Sequence, residues 1–194
     1  MTATIEIRAR FRQYCLGAGV VSALLVMPIA RADQQDPQLE ELFDKLQHTT
    51  EYAQAARLEA RIWQLWVQHP DPQPARLMMQ GIEQINRDDL QGALATYDRL
   101  VQLTPDFAEA WNKRATVYYL LGNYPASQAD IDKTLALEPF HFGALSGRAL
   151  VHLAQQEYFQ ARSAFHACLE IYPAMPGVNA NLQLLETMLE QRAI

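Results

Sequence analysis

Apolar residues recur at intervals of three and four along most of this chain, with polar residues between them. That is the period of α-helices buried along one side. Leu42, Leu46, Leu58, Ile62, Trp63, Leu65 and Trp66 predict a helix pair over residues 39–47 and 52–68 with a broad apolar surface. Near the other end Val178, Leu182, Leu185 and Leu189 form a stripe opposite Asn179, Gln183, Glu186 and Glu190. This predicts one terminal helix that covers whatever precedes it. Between these flanks the pattern itself repeats. Pro105, Pro139 and Pro173 are 34 residues apart, and each ends an apolar string such as Leu100-Val101-Gln102-Leu103-Thr104-Pro105. Twelve places before each proline stands a small residue, Ala93, Ser127 or Ala161. Fifteen places before stands a large one, Leu90, Tyr124 or Tyr158, and eight before stands Tyr97, Ile131 or Phe165.

A fixed period of this length marks a stack of supersecondary units. In the middle unit, Asp106 with Glu109 three residues on predicts a capping box at the start of a first helix. Gly122-Asn123 ends that helix, since glycine takes the left-handed conformation of a C-cap. A second helix runs over residues 125–137, and Pro139 stops it. With Trp111, Tyr118, Gly122, Tyr124, Leu135 and Pro139 in place, the unit resembles the tetratricopeptide repeat family. The resemblance implies an all-α fold, a right-handed α-solenoid of helix-turn-helix repeats. Its repeats would span 74–107, 108–141 and 142–175. An N-terminal helix pair at 33–73 would be a cap or a degenerate fourth repeat, and 176–194 a capping helix. Asp88 and Gln156 replace the mid-repeat glycine, so those turns are expected to differ by a residue, and Gln80 occupies a place usually apolar.

Composition agrees with helices: Ala 28 and Leu 25 against 17 for Val plus Ile, which argues against a β-sandwich, a disordered chain or a disulfide scaffold. The formal net charge is −6, and three lysines and 13 arginines form no basic stripe, so nucleic acid is not an expected partner. Arg8, Arg10 and Arg12 precede an uncharged run from Leu16 to Ala30, closed by Ala30-Arg31-Ala32. This is the order of a secretory signal peptide, with cleavage expected after Ala32 and a periplasmic or secreted location. The alternative is an uncleaved anchor, but the run is shorter than the roughly 20 residues that span a bilayer. After cleavage no membrane segment is expected. The remaining chain has twelve basic and 21 acidic residues, net −9, and a single cysteine, Cys168.

Candidate chemistry is sparse. Phosphate-loop, metalloprotease, C-x-x-C and nucleophile-elbow motifs are missing from the sequence, so neither a cofactor nor a metal is expected. His152, His166 and Cys168 could meet within the third repeat, which is the enzyme or metal-binding alternative. Arg114 and Arg148 precede the small residue of their helices, where Asp98, Asp130 or Asp132 could meet them. Asp130 is expected to pair with Arg114 or Arg148 between helices and fix the repeat register. In the family, ligands contact the first helix of each repeat. Carried over, that implies Ala75, Met78, Met79, Ile82, Ile85 and Asn86 in the first repeat, and Glu109, Asn112, Lys113, Thr116, Tyr119 and Leu120 in the second. The third contributes Gly143, Ser146, Gly147, Leu150, Leu153 and Ala154. Asn112 and Lys113 have no basic companions in the flanking repeats, so a clamp for a terminal carboxylate is not expected. An amphipathic helix or extended apolar peptide suits the groove, unless the N-terminal helices already cover it. The expected function is a secreted, non-enzymatic protein-interaction module, an adaptor or assembly factor that binds a protein or peptide; the alternative is a membrane-anchored accessory of an envelope complex. The sequence does not specify the oligomeric state.

Overall fold

The structure, a computed structural model, describes residues 36–192. The expected export segment, residues 1–32, lies outside the described residues. Within them the chain forms nine helices: α1 (Gln38–His48), α2 (Tyr52–Trp66), α3 (Pro72–Asn86), α4 (Leu90–Leu103), α5 (Ala108–Leu120), α6 (Tyr124–Leu137), α7 (Phe142–Ala154), α8 (Tyr158–Ile171) and α9 (Pro176–Arg192). Three pairs, α3–α4, α5–α6 and α7–α8, stack in order, and α9 packs on α8.

Small residues set the distance between paired helices. A methyl added to Gly81 would lie 2.4 Å from the Tyr97 ring, so the bare glycine is what lets α4 seat that ring on α3. Alanines hold the equivalent places on α5 and α7, and Ala115 and Ala149 are buried. Across from Ala115, the Ser127 hydroxyl donates to the Ala115 carbonyl at 2.8 Å.

The turns inside the three repeats are the same length, contrary to the expectation from Asp88 and Gln156. Asp88, Gly122 and Gln156 have φ of 60°, 74° and 61°. Their N–H groups donate to Ile85, Tyr119 and Leu153, and the next residues, Asp89, Asn123 and Glu157, donate to Gln84, Tyr118 and His152. Satisfying the last carbonyls of the preceding helix requires a left-handed residue there, and the chain adopts it even without glycine. The expected capping box does not form. Phe107, fully buried, is the N-cap of α5 without a side-chain cap bond, and Glu109 is buried instead.

The N-terminal pair differs more. It does not stack on α3 as a fourth repeat. Leu39, Phe43, Leu46, Ile62, Leu65 and Trp66 share one core with Phe142, Leu145, Ala149, Phe165, Tyr172 and Leu185, drawn from α7, from α8 and its C-cap, and from α9. A separate core joins α3, α4 and α5. Polar contacts bind the same parts: Gln47 Nε2 donates to the Glu170 carbonyl at 2.8 Å, and the Tyr172 hydroxyl donates to Glu59 Oε2 at 3.0 Å. Because no helix pair among the described residues stacks ahead of α3, the place that is usually apolar faces water, and Gln80 is exposed there.

Candidate functional site

The inner helices α3, α5 and α7 carry the residues expected to line a groove, and α2 lies over part of them. Trp66 stacks on the His141 ring at 3.9 Å between centroids, with 10° between planes. Trp63 meets His141 and Phe142 edge-on at 5.6 and 5.5 Å. It also presses on Gly143, where a Cβ would come within 2.6 Å of the indole.

Beneath the two indoles is a buried polar network. His141 Nδ1 accepts the Ala144 N–H at 3.0 Å, capping α7, so the ring hydrogen sits on Nε2 and is donated to Glu109 Oε2 at 2.9 Å. Asn112 Nδ2 donates to the same oxygen at 2.9 Å. Lys113 Nζ lies 3.1 Å from Glu109 Oε1 and 4.9 Å from the centre of the Trp63 ring. Burial alone pushes the Glu109 carboxyl up, but the Lys113 ammonium and the hydrogen bonds from His141 and Asn112 outweigh it and hold the group below the ordinary carboxylate range. Glu109, Asn112 and Lys113 are therefore engaged with one another and with the next repeat, and are not presented to solvent as an open ligand set.

The other expected groove residues divide between covered and open. Met78 is fully buried in the first core. Leu150 and Leu153 pack against the core that contains α1 and α2. Tyr119 sits against Tyr124 at 5.8 Å between ring centres, and Ser146 is half-buried. Met79 and Leu120 are 59% and 50% exposed; Asn86 and Thr116 are also exposed, and Ile82 is half-buried. The open strip thus lies on α3 and α5, away from α2. Trp63, Trp66 and His141 were not anticipated as groove residues. The two tryptophans were visible as an apolar surface, but nothing local says against which repeat that surface would pack.

Between helices, Arg114 of α5 grips Asp130 of α6 with two bonds, Nε to Oδ2 at 2.7 Å and Nη2 to Oδ1 at 2.8 Å. It also reaches Asp98 of α4 at 2.9 Å, tying the first repeat to the second. Arg148 takes Asp132, the counterpart of Asp98, at 2.5 Å. The hydrogen bonds and charge of Asp130 hold the Arg114 guanidinium well above its ordinary value. The residues of the enzyme alternative are separated. His152 Nδ1 pairs with Glu157 at 2.6 Å. Cys168 is buried, its Sγ donating to the Phe142 carbonyl at 3.3 Å, and burial pushes its thiol up to about 12; His166 is exposed. Among the described residues no group of three His, Cys, Asp or Glu side chains could hold a metal ion, and no helix is long and apolar enough to cross a membrane.

Comparison with known proteins agrees with this architecture. The tetratricopeptide repeat family profile matches residues 82–144. A TPR repeat-containing protein of Rhizobium etli is 34% identical over 136 residues, which cover 70% of this chain and 67% of that protein. A BBSome complex member BBS4 homolog of Drosophila melanogaster is 28% identical over 93 residues, 48% of this chain but only 18% of that larger protein. Among solved structures, the first TPR of Spaghetti (RPAP3) bound to an HSP90 peptide aligns with a TM-score of 0.59 at 19% identity, covering 61% of this chain and 94% of that one. With its 34-residue period, its stacked helix pairs and this relative from Rhizobium, the chain belongs to the tetratricopeptide repeat family.

Proposed function

We propose that this chain is a non-enzymatic protein-interaction module of the bacterial cell envelope, an adaptor or assembly factor that holds a peptide or helix of another protein in the open part of its groove. The observation that carries the reading is the exposed strip of Met79 and Leu120 with Asn86 and Thr116 on neighbouring inner helices. Flexible methionine and leucine side chains bordered by small polar groups suit an apolar segment of a partner. Spaghetti (RPAP3), similar in fold, is bound to a peptide in its solved structure. Lys113 is already paired with Glu109, which disfavours an acidic terminus as the ligand here. The basic, apolar and small-residue order of residues 1–32 supports export, with the mature chain beginning at Asp33.

The test is crosslinking in an envelope fraction followed by affinity capture, with wild type beside Met79→Glu and Leu120→Glu. Both positions face solvent, so the variants keep the fold, and specific partners are lost from both. Retention of every partner by the folded variants would refute the groove. Mass spectrometry of the mature chain tests export: a start at Asp33 supports it, and a retained segment favours the anchored alternative.

A further inference from the structure

Where the α1–α2 hairpin meets the first two repeats, four buried side-chain atoms have no hydrogen-bond partner among the described residues: the Tyr97 hydroxyl, Glu109 Oε1, Trp66 Nε1 and His69 Nε2. Contacts around them hold the four residues in one region. Trp66 stacks on His141, and His141 bonds Glu109. The His69 ring lies 5.2 Å from that of Phe107, the N-cap of α5 two residues before Glu109. Tyr97 shares a core with Phe107 and Ala110, which flank Ala108 and Glu109. Burial and then the nearby Glu109 charge hold the Tyr97 phenol above its ordinary range.

The inventory of donors and acceptors identifies what can serve these atoms. His69 Nδ1 accepts the Asp71 N–H at 3.1 Å, so His69 Nε2 carries a hydrogen and is a donor. Trp66 Nε1 is a donor only, and the Tyr97 hydroxyl can donate or accept. Glu109 Oε1 is an acceptor, with the Lys113 ammonium 3.1 Å away but not aligned as a hydrogen bond. An anion would meet the Glu109 charge. A cation would meet the Lys113 charge and three donor hydrogens. A small neutral molecule that both accepts and donates fits the set, and water is the one that reaches fully buried groups. Leaving such atoms unserved inside a protein is strongly unfavourable, and buried water is the usual remedy.

We propose that this joint is a buried hydration site, in which a water accepts the Tyr97 hydroxyl hydrogen and donates to Glu109 Oε1. The water extends the polar network across the inner face. Tyr97 of the first repeat, Glu109 of the second and His141 of the third then form one hydrogen-bonded line that ends at the Ala144 N–H. That line ties the first repeat, on which the hairpin does not stack, to the groups that the hairpin covers. The site lies in the covered part of the inner face, so it does not depend on what the Met79–Leu120 strip binds.

Magnetic relaxation dispersion of the solvent water, recorded with the full chain, tests the site. The wild type holds at least one long-lived internal water, Tyr97→Phe loses one, and Tyr52→Phe, at a ring 64% exposed, loses none. The melting temperature of Tyr97→Phe falls by about 2–5 °C, because Glu109 Oε1 loses its donor. No long-lived water in the wild type, or an unchanged number in Tyr97→Phe, overturns the proposal. So does a rise in the melting temperature of Tyr97→Phe, which is the result of deleting a hydroxyl that has no partner at all. Should Tyr97→Phe not fold, a crystal structure of the wild type decides. A water within about 3 Å of both the Tyr97 hydroxyl and Glu109 Oε1 supports the site. A direct bond between the two groups, or no water between them, overturns it.

Discussion

Position 7 of the repeat shows how one place acquires three different environments. Gln80, Arg114 and Arg148 stand 34 residues apart. The two arginines receive an aspartate sixteen residues earlier, Asp98 or Asp132, from the preceding repeat, whereas no helix pair among the described residues stacks ahead of Gln80, which faces water. The residue types announced inter-helix pairing, but the geometry in which Arg114 bridges two aspartates depends on a stack that no local string describes. Glu109 illustrates the opposite failure. Its spacing from Asp106 follows capping grammar, yet His141, 32 residues on, draws it inward. Asp130→Ala leaves Arg114 with the part-exposed Asp98 alone and should destabilise by roughly 3 kcal/mol, while Asp132→Ala, which removes an exposed carboxylate held by Arg148 and Gln128, should cost less than about 1 kcal/mol. Urea denaturation of both variants checks the contrast. Glu138 makes a pH prediction. Burial raises its carboxyl to about 7, offset only in part by the Phe140 N–H. Between the ordinary carboxylate range and pH 7 the folded chain holds a proton that the unfolded chain has released, so this group lowers stability as pH rises. Glu138→Gln should remove that fall, on the order of 3 kcal/mol at pH 8 and little at pH 4, as read by thermal melts at the two pH values. Glu109 acts in reverse, contributing stability above the ordinary carboxylate range that is lost as pH falls through its lowered folded value.

At the scale of elements, periodicity and punctuation were highly legible. The helices of the second repeat end at Gly122 and before Pro139 because glycine and proline impose those breaks through the backbone, independently of packing. The first and third turns were harder to read, since Asp88 and Gln156 adopt a conformation they disfavour. Stacking of the flanking helices imposes it, which means that strain is held at two of the three equivalent turns. Asp88→Gly and Gln156→Gly should each raise stability, by up to about 1 kcal/mol after the entropy that glycine restores to the unfolded chain, and Gly122→Ala should lower it by about 1 kcal/mol. Chemical denaturation of the three variants gives the signs, and stabilisation by Gly122→Ala would show that the turns are not equivalent.

Over the whole molecule, the chain places its first helices against its last repeat. A repeating pattern specifies neighbour-to-neighbour stacking, so it predicted a solenoid and, by extrapolation, a fourth unit ahead of α3. It could not specify where a broad apolar hairpin would lie once α3 presented polar Gln80, Arg76 and Glu83 at the solenoid's end. Trp63, Trp66 and Glu59 instead find the Lys113 ammonium of the second repeat and rings and a hydroxyl on the third repeat and its borders, and this turns part of the groove into a covered surface while leaving Met79 and Leu120 open. The inner face is thereby divided into one open strip and one surface filled by the chain's own helix. The most direct measurement is a double-mutant cycle on Glu59 and Tyr172, 113 residues apart and joined by a 3.0 Å hydrogen bond. With Glu59→Ala, Tyr172→Phe and both together, unfolding free energies should show a coupling of about 1 kcal/mol or more. Additivity to within about 0.3 kcal/mol would place the hairpin elsewhere and contradict the account.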